Sequence, residues 1–160
     1  LQAGKNPRYV ALADFNKDGT IDIAAGTIAA GADEQVSIFT GLGAGKFSTP
    51  QHIKPAYTTL TGKDMVVGDV DGNGYLDLVF ATLGHPSSSQ NVAVLYGSAT
   101  GFSSSKFAEF TSMQRGTLYT LSSVVLGDFD TDDKGNRLDI IGSYNIGGSV
   151  ESGLQVFTKK

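Results

Sequence analysis

"ADFNKDGTID", residues 13–22, places Asp14, Asn16, Asp18 and Asp22 around one glycine, Gly19. Carboxylates this close repel one another, and several cannot all ionise at low cost unless positive charge lies among them. The crowding recurs as "GDVDGNGYLDL" at 68–78 and "GDFDTDDKGNRLDI" at 127–140, so the clusters follow one another at intervals of 55 and 59 residues. Eleven of the sixteen acidic residues fall inside them: Asp14, Asp18, Asp22, Asp69, Asp71, Asp77, Asp128, Asp130, Asp132, Asp133 and Asp139. The acidity is therefore local, although the formal charge of the whole chain is only −4.

The surroundings of the clusters repeat as well. An apolar run (Tyr9 to Ala13, Met65 to Gly68, Val124 to Gly127) leads into each acidic loop, and a second run (Ile21 to Ala25, Leu76 to Ala81, Leu138 to Gly142) leads out. A variable polar stretch follows, then "VSIFTG", "VAVLYG" or "LQVFTK". After the first two of these, "GAGKFSTPQHI" and "ATGFSSSKFAEF" supply a fourth run, with Phe47 and Phe102 placed alike after a glycine turn. Short runs rich in Val, Ile, Phe, Tyr and Thr, punctuated by glycine, read as strands joined by tight turns. Four antiparallel strands per unit of this length is the layout of a propeller blade. The expectation is an all-β fold: one domain of three four-stranded antiparallel blades, about 1–53, 54–110 and 111–160. A β-sandwich with three similar hairpins is the rival, and the shared internal order favours blades.

Composition narrows the classes of function. At 160 residues with 40% hydrophobic and 18% charged residues, the chain is long enough to bury a real core. No Lys/Arg-rich run or basic stripe exists to neutralise phosphates, so nucleic acid is not an expected partner. No apolar stretch approaches the ~20 residues of a membrane span, so membrane insertion is not expected. The sequence opens on Leu1 with neither an initiator Met nor a leader, which reads as a processed, trimmed or excised piece. With no cysteine, disulfide and thiol chemistry are ruled out.

The pattern "GD(V/F)D…LD(L/I)" with a downstream "G..G.F" resembles the FG-GAP/VCBS repeat of integrin α-chain propellers and many secreted bacterial and fungal proteins. The resemblance covers essentially the whole chain, and its specific part is the acidic loop. It implies a β-propeller in which that loop binds calcium between the first and second strands of a blade. Closed propellers have about four to eight blades, whereas this chain supplies three. Its third copy stops after the third strand, and "LQAG" at the N-terminus resembles the end of a fourth. The expected partners are therefore the remaining blades of a longer propeller or further copies of the chain, for instance two copies giving six blades.

Hard Ca²⁺ takes six to eight oxygen ligands. In the first loop, Asp14, Asn16 and Asp18 can point the same way, the carbonyl of Thr20 can face inward past Gly19, and Asp22 can close the site. The second loop maps onto it as Asp69, Asp71, Asn73, the carbonyl of Tyr75, and Asp77. In the third, Asp128, Asp130 and Asp132 precede three extra residues, with Arg137 as carbonyl donor and Asp139 last. About three Ca²⁺ sites, one per repeat, are expected. An EF-hand begins similarly but needs flanking helices and a Glu at position twelve. Here Ala25 and Phe80 occupy that position in the first two loops, and the flanks are strand-like. Magnesium prefers a compact octahedron that keeps its waters, and zinc would ask for His or Cys, which the loops lack. Asp, Asn and Gly also populate turns without any metal.

Other chemistry finds little support. His52 and His85, the two histidines, lie near no nucleophile motif. "GLGAGK" at 41–46 fails the phosphate-loop pattern at its first glycine and after Lys46. The chain is expected not to be an enzyme. Ligand contacts would come from loops opposite the acidic turns (27–35, 54–63, 83–91, 112–121 and 143–153), where Tyr57, His85, Tyr119, Tyr144 and Asn145 could meet a glycan or a protein. The expected function is calcium-stabilised extracellular recognition or adhesion, secreted or at the cell surface. One alternative is a non-catalytic scaffold fragment of a larger secreted carbohydrate-active enzyme. Another is an architectural or engineered partial propeller that closes by oligomerisation.

Overall fold

The computed structural model describes residues 1–27, 35–54, 64–81, 90–103, 107–111, 119–129, 138–146 and 152–157. Within these residues the chain forms strands and turns without a helix. Strands β1 (Pro7–Ala13), β2 (Asp22–Thr27), β3 (Val36–Phe39) and β4 (Gln51–Ile53) make one sheet in that spatial order. Strands β5 (Asp64–Gly68), β6 (Asp77–Ala81), β7 (Gln90–Leu95) and β8 (Phe107–Thr111) repeat it. The third sheet has three strands, β9 (Tyr119–Gly127), β10 (Asp139–Ile146) and β11 (Ser152–Phe157), with β10 in the middle. Every pairing is antiparallel between strands consecutive in sequence, which is the up-and-down meander of a propeller blade.

The sheets stack face to face in sequence order. β1 packs on β5 and β5 on β9, so the first strands of the blades lie side by side along one line, and no packing of comparable extent joins β1 to β9. The array of three blades is therefore open. One apolar cluster fills the space between the first two blades, joining Ala24, Val36 and Ile38 to Met65, Leu78, Phe80 and Leu95. A second joins Val79, Val92 and Val94 of the middle blade to Leu121, Val124 and Ile140 of the third. The middle blade is thus covered on both faces. That is why β6 and the core of β7 read as continuous apolar runs, "DLVFA" and "VAVL", rather than alternating ones. In β1, by contrast, burial alternates along the strand, because only one face is covered.

Residues 1–4 form no strand, contrary to their resemblance to the end of a fourth one. Instead the Ala3 carbonyl accepts a hydrogen bond from the Ser37 hydroxyl at 3.1 Å, which lays the N-terminal segment against β3. Among the described residues no helix is long and apolar enough to cross a membrane.

Candidate metal centre

Each acidic loop joins the first and second strands of its blade, and its shape follows from aspartates accepting hydrogen bonds from the loop's own backbone. In the first loop, Asp14 Oδ1 accepts from Asp18 N at 3.0 Å and Oδ2 from Gly19 N at 2.8 Å. In the second, Asp69 Oδ1 accepts from Gly72 N at 2.8 Å and Asn73 N at 3.1 Å, and Oδ2 from Gly74 N at 2.6 Å. Wrapping a chain this tightly needs left-handed residues. Gly19 and Gly74 supply them at matching positions with φ of 86° and 85°. Gly72 does so again at φ 74°, where the first loop forces Lys17 to φ 61°.

The last aspartate of each loop does a second job. Asp22 Oδ2 accepts from Phe15 N at 3.0 Å and Oδ1 from Gly41 N at 2.8 Å. Asp77 repeats this with Val70 N and Gly97 N, both at 2.8 Å. Asp139 accepts from Phe129 N at 3.1 Å. All three aspartates are buried, and the first two tie the loop to the end of the third strand of the blade. Each carboxylate oxygen keeps a further lone pair after accepting one amide. Gly41 and Gly97 were missed from sequence, although a glycine closing "VSIFTG" and "VAVLYG" was the available signal. A Cβ on Gly41 would stand 2.3 Å from the Ile21 carbonyl oxygen, and one on Gly97 would stand 2.2 Å from that of Leu76. Only glycine lets the third strand approach the loop backbone closely enough to reach the aspartate.

The two described loops differ in how their side chains meet. Asp69, Asp71 and Asp77 bring one carboxylate oxygen each to within 4.8 Å of one another, the one such acidic group among the described residues, and this cluster could hold a metal ion. Asp77 shows the electrostatic cost of the arrangement. Burial pushes its carboxyl up to about 6, and the charges of Asp71 and Asp69 add to the rise against the opposing pull of the Gly97 and Val70 amides. The same cluster reaches Tyr96, whose hydroxyl is raised by burial and then by the charges of Asp77 and Asp71.

In the first loop, Asp18 is instead engaged by donors. Its Oδ2 accepts from Asn16 Nδ2 at 2.7 Å, and its Oδ1 accepts from the amide of Thr20 at 2.8 Å and from the Thr20 hydroxyl. These bonds hold its carboxyl below the usual carboxylate range, the Thr20 hydroxyl and amide first and Asn16 next. Adjacent loops also touch, since the Lys17 ammonium sits 4.4 Å from the centre of the Tyr75 ring.

Of the remaining sequence candidates, Asp128 is exposed at the end of β9, whereas Asp130, Asp132 and Arg137 lie outside the described residues. His85 and the candidate side chains at Tyr57, Tyr119 and Asn145 lie outside them as well. Tyr144 is half-buried, its hydroxyl near Gly153 on the neighbouring strand. The other histidine proves to have a serine beside it. His52 Nδ1 stands 2.9 Å from the Ser37 hydroxyl and 3.0 Å from Gln35 Nε2. Ser37 is fully buried and also meets the Ala3 carbonyl, so the pair fastens β3 to β4 and the N-terminal segment.

Stacked antiparallel blades with an acidic turn between the first and second strands define the class: a β-propeller type of module. Residues 14–80 match the family model of the FG-GAP-like repeat, a stretch that contains both described loops and the strands between them. No curated protein matches the chain.

Proposed function

We propose that this chain is a calcium-stabilised, non-enzymatic propeller module for recognition or adhesion outside the cell. The observation that carries the reading is the convergence of Asp69, Asp71 and Asp77 within a loop that matches the FG-GAP-like repeat. The donor set is entirely oxygen, which suits a hard cation. Burial does most to lift Asp77, and the charges of Asp71 and Asp69 that add to the rise are what such a cation would relieve. Asp71 and Asp69 would be the charged ligands, and Asp77 would contribute through the lone pairs left by its two amide bonds. The first loop, with Asp14, Asn16, Asp18 and Asp22, and the third, with Asp128 and Asp139, are read as further calcium sites of the same kind. The ion's contribution would be cohesion of each blade. The recognition surface would lie on the loops at the opposite end, where a glycan or protein ligand would dock.

Calorimetric titration of chelator-treated protein with CaCl₂, paired with melting in CaCl₂ and in EDTA, tests the reading. Binding at the second loop and a higher melting temperature in calcium are expected. A ligand present at a hundred times its Kd adds about 2.7 kcal/mol. No heat of binding and identical melts would overturn it.

A further inference from the structure

The three blades give three instances of each repeat position, and burial differs among them in one direction. Val36 and Ile38 of β3 are buried against the second blade, and Val92 and Val94 of β7 are buried against the third. The same positions of β11 are Leu154 and Val156, which are 74% and 50% exposed. Register makes the equivalence firm. Ile38, Val94 and Val156 each pair with the residue two places beyond the last aspartate of their loop, namely Ala24, Val79 and Ile141. The loop tells the same story. Phe15 is buried with its ring against Phe102 of the next blade at a centroid distance of 5.3 Å, and Val70 is buried against the third blade. Their counterpart Phe129 is 52% exposed. Val125 belongs to the same face and is also exposed.

The opposite face of the array shows the mirror-image deficit. Met65, Val67 and Leu76 of the middle blade pack into the first interface, and Val124, Leu126 and Leu138 pack into the second. At the same positions the first blade presents Val10, Leu12 and Ile21, and Val10 and Leu12 are 67% and 64% exposed. One end of the stack thus carries the forward half of an inter-blade interface, and the other end carries the backward half. Both are apolar, and neither is covered by another of the described residues. Contiguous exposed apolar faces of this kind mark association surfaces.

We propose that the forward face of the third blade docks on the backward face of the first blade in a second copy of this chain, reproducing between chains the packing already present twice within one. Each contact is heterologous, joining the forward face of one copy to the backward face of the other. Two copies arranged head to tail supply six blades, within the four to eight that closed propellers use. Closure satisfies both faces of both chains and ends the assembly at a dimer. The pairing is expected with and without metal, because Leu154, Val156, Val125, Val10 and Leu12 lie on sheet strands, with Phe129 and Ile21 added from the loops.

Sedimentation velocity at about 100 µM chain, a hundredfold above a micromolar Kd, should show a discrete species of twice the chain mass, in calcium and in EDTA alike. Two variants locate the interface. L154E/V156E blocks the forward face and V10E/L12E blocks the backward face, and each substitutes residues that are exposed in the single chain, so folding should survive, as circular dichroism would confirm. Each variant alone should be monomeric. Their equimolar mixture retains one intact forward face and one intact backward face, and should regain a heterodimer. A monomeric unmodified chain overturns the pairing and assigns the two faces to blades outside these 160 residues. A dimer that both variants leave intact, or an unlimited ladder of larger species, overturns it too.

Discussion

The first and second acidic loops have nearly the same backbone and different chemistry. Both wrap around their first aspartate, and both are stapled to the third strand by a buried aspartate bridging two amides. They part in the side chains between those shared points, where Asp18 of the first loop has Asn73 as its counterpart. Where the second loop has Asp71, the first has Asn16, whose amide donates to Asp18. Where the second has Tyr75, the first has Thr20, whose hydroxyl turns onto the same Asp18. Three donors from two residues thus engage Asp18 in the first loop, while the second loop has Asn73 at that position and its three acids converge. Loop shape is therefore set by the staple and the left-handed residues, whereas readiness for a cation is set by whether neighbouring side chains donate or accept.

The largest expected effect breaks what the loops share. Asp77→Ala leaves two buried amides without their acceptor and should cost about 3 kcal/mol in chelator. Asp22→Ala should cost a similar amount, and chemical denaturation of the two variants would show whether the staple is the common element. Next come the glycines that admit the staple. Gly97→Ala and Gly41→Ala each drive a methyl into a carbonyl oxygen, and overpacking of this kind costs about 2 kcal/mol. Equal losses of denaturant midpoint are expected, because the clashes are nearly the same.

The difference between the loops is sharpened by exchanging their side chains. Asp71→Asn should leave the fold in EDTA unchanged and remove most of the calcium-dependent rise in melting temperature contributed by the second loop. Asn16→Asp should strengthen the calcium response of the first. Titration calorimetry on both variants checks the pair. The pH dependence separates them further. In metal-free protein Asp77 holds its proton up to about 6, above the ordinary value it has when unfolded. The native state therefore binds that proton more tightly, and its stabilising effect is present below the ordinary carboxylate range and lost as pH rises through 6. Melts in EDTA should show this decline, and the Asp77→Asn variant should not. The smallest effect is at the seam between the loops. Lys17→Ala removes the cation over Tyr75 and should cost about 0.5 kcal/mol.

Much of this architecture was legible from the chain. The threefold recurrence of apolar run, acidic loop and apolar run located β1, β2, β5, β6, β9 and β10. The open, incomplete array followed from counting copies. The acidic residues of the second loop were read as one group, and the structure brings Asp69, Asp71 and Asp77 together. What escaped was relational. Nothing local in Asp22 or Asp77 says that a carboxylate expected to close a cation site also caps an amide 19 or 20 residues onward. Nor does "NKDGT" announce that its asparagine and threonine will spend themselves on one aspartate. Such choices depend on which donor lies nearest once the turn is closed, and a spacing pattern does not encode that. The N-terminal "LQAG", read as the end of a fourth strand, forms no strand within the single chain, where the Ala3 carbonyl accepts from the Ser37 hydroxyl.

The middle blade, apolar on both faces, also shapes how the molecule comes into being. "LDLVFA" and "VAVLY" have no solvent side, so until a sheet has settled on either flank they present extended, charge-poor surface of the kind that seeds cross-β stacking. The first blade precedes them in the chain and can shield one side as soon as they emerge. The other side waits for the third blade. A truncation ending near Thr111 should therefore precipitate rather than remain as a two-blade particle, which makes the third blade a guardian of solubility as well as a part of the stack.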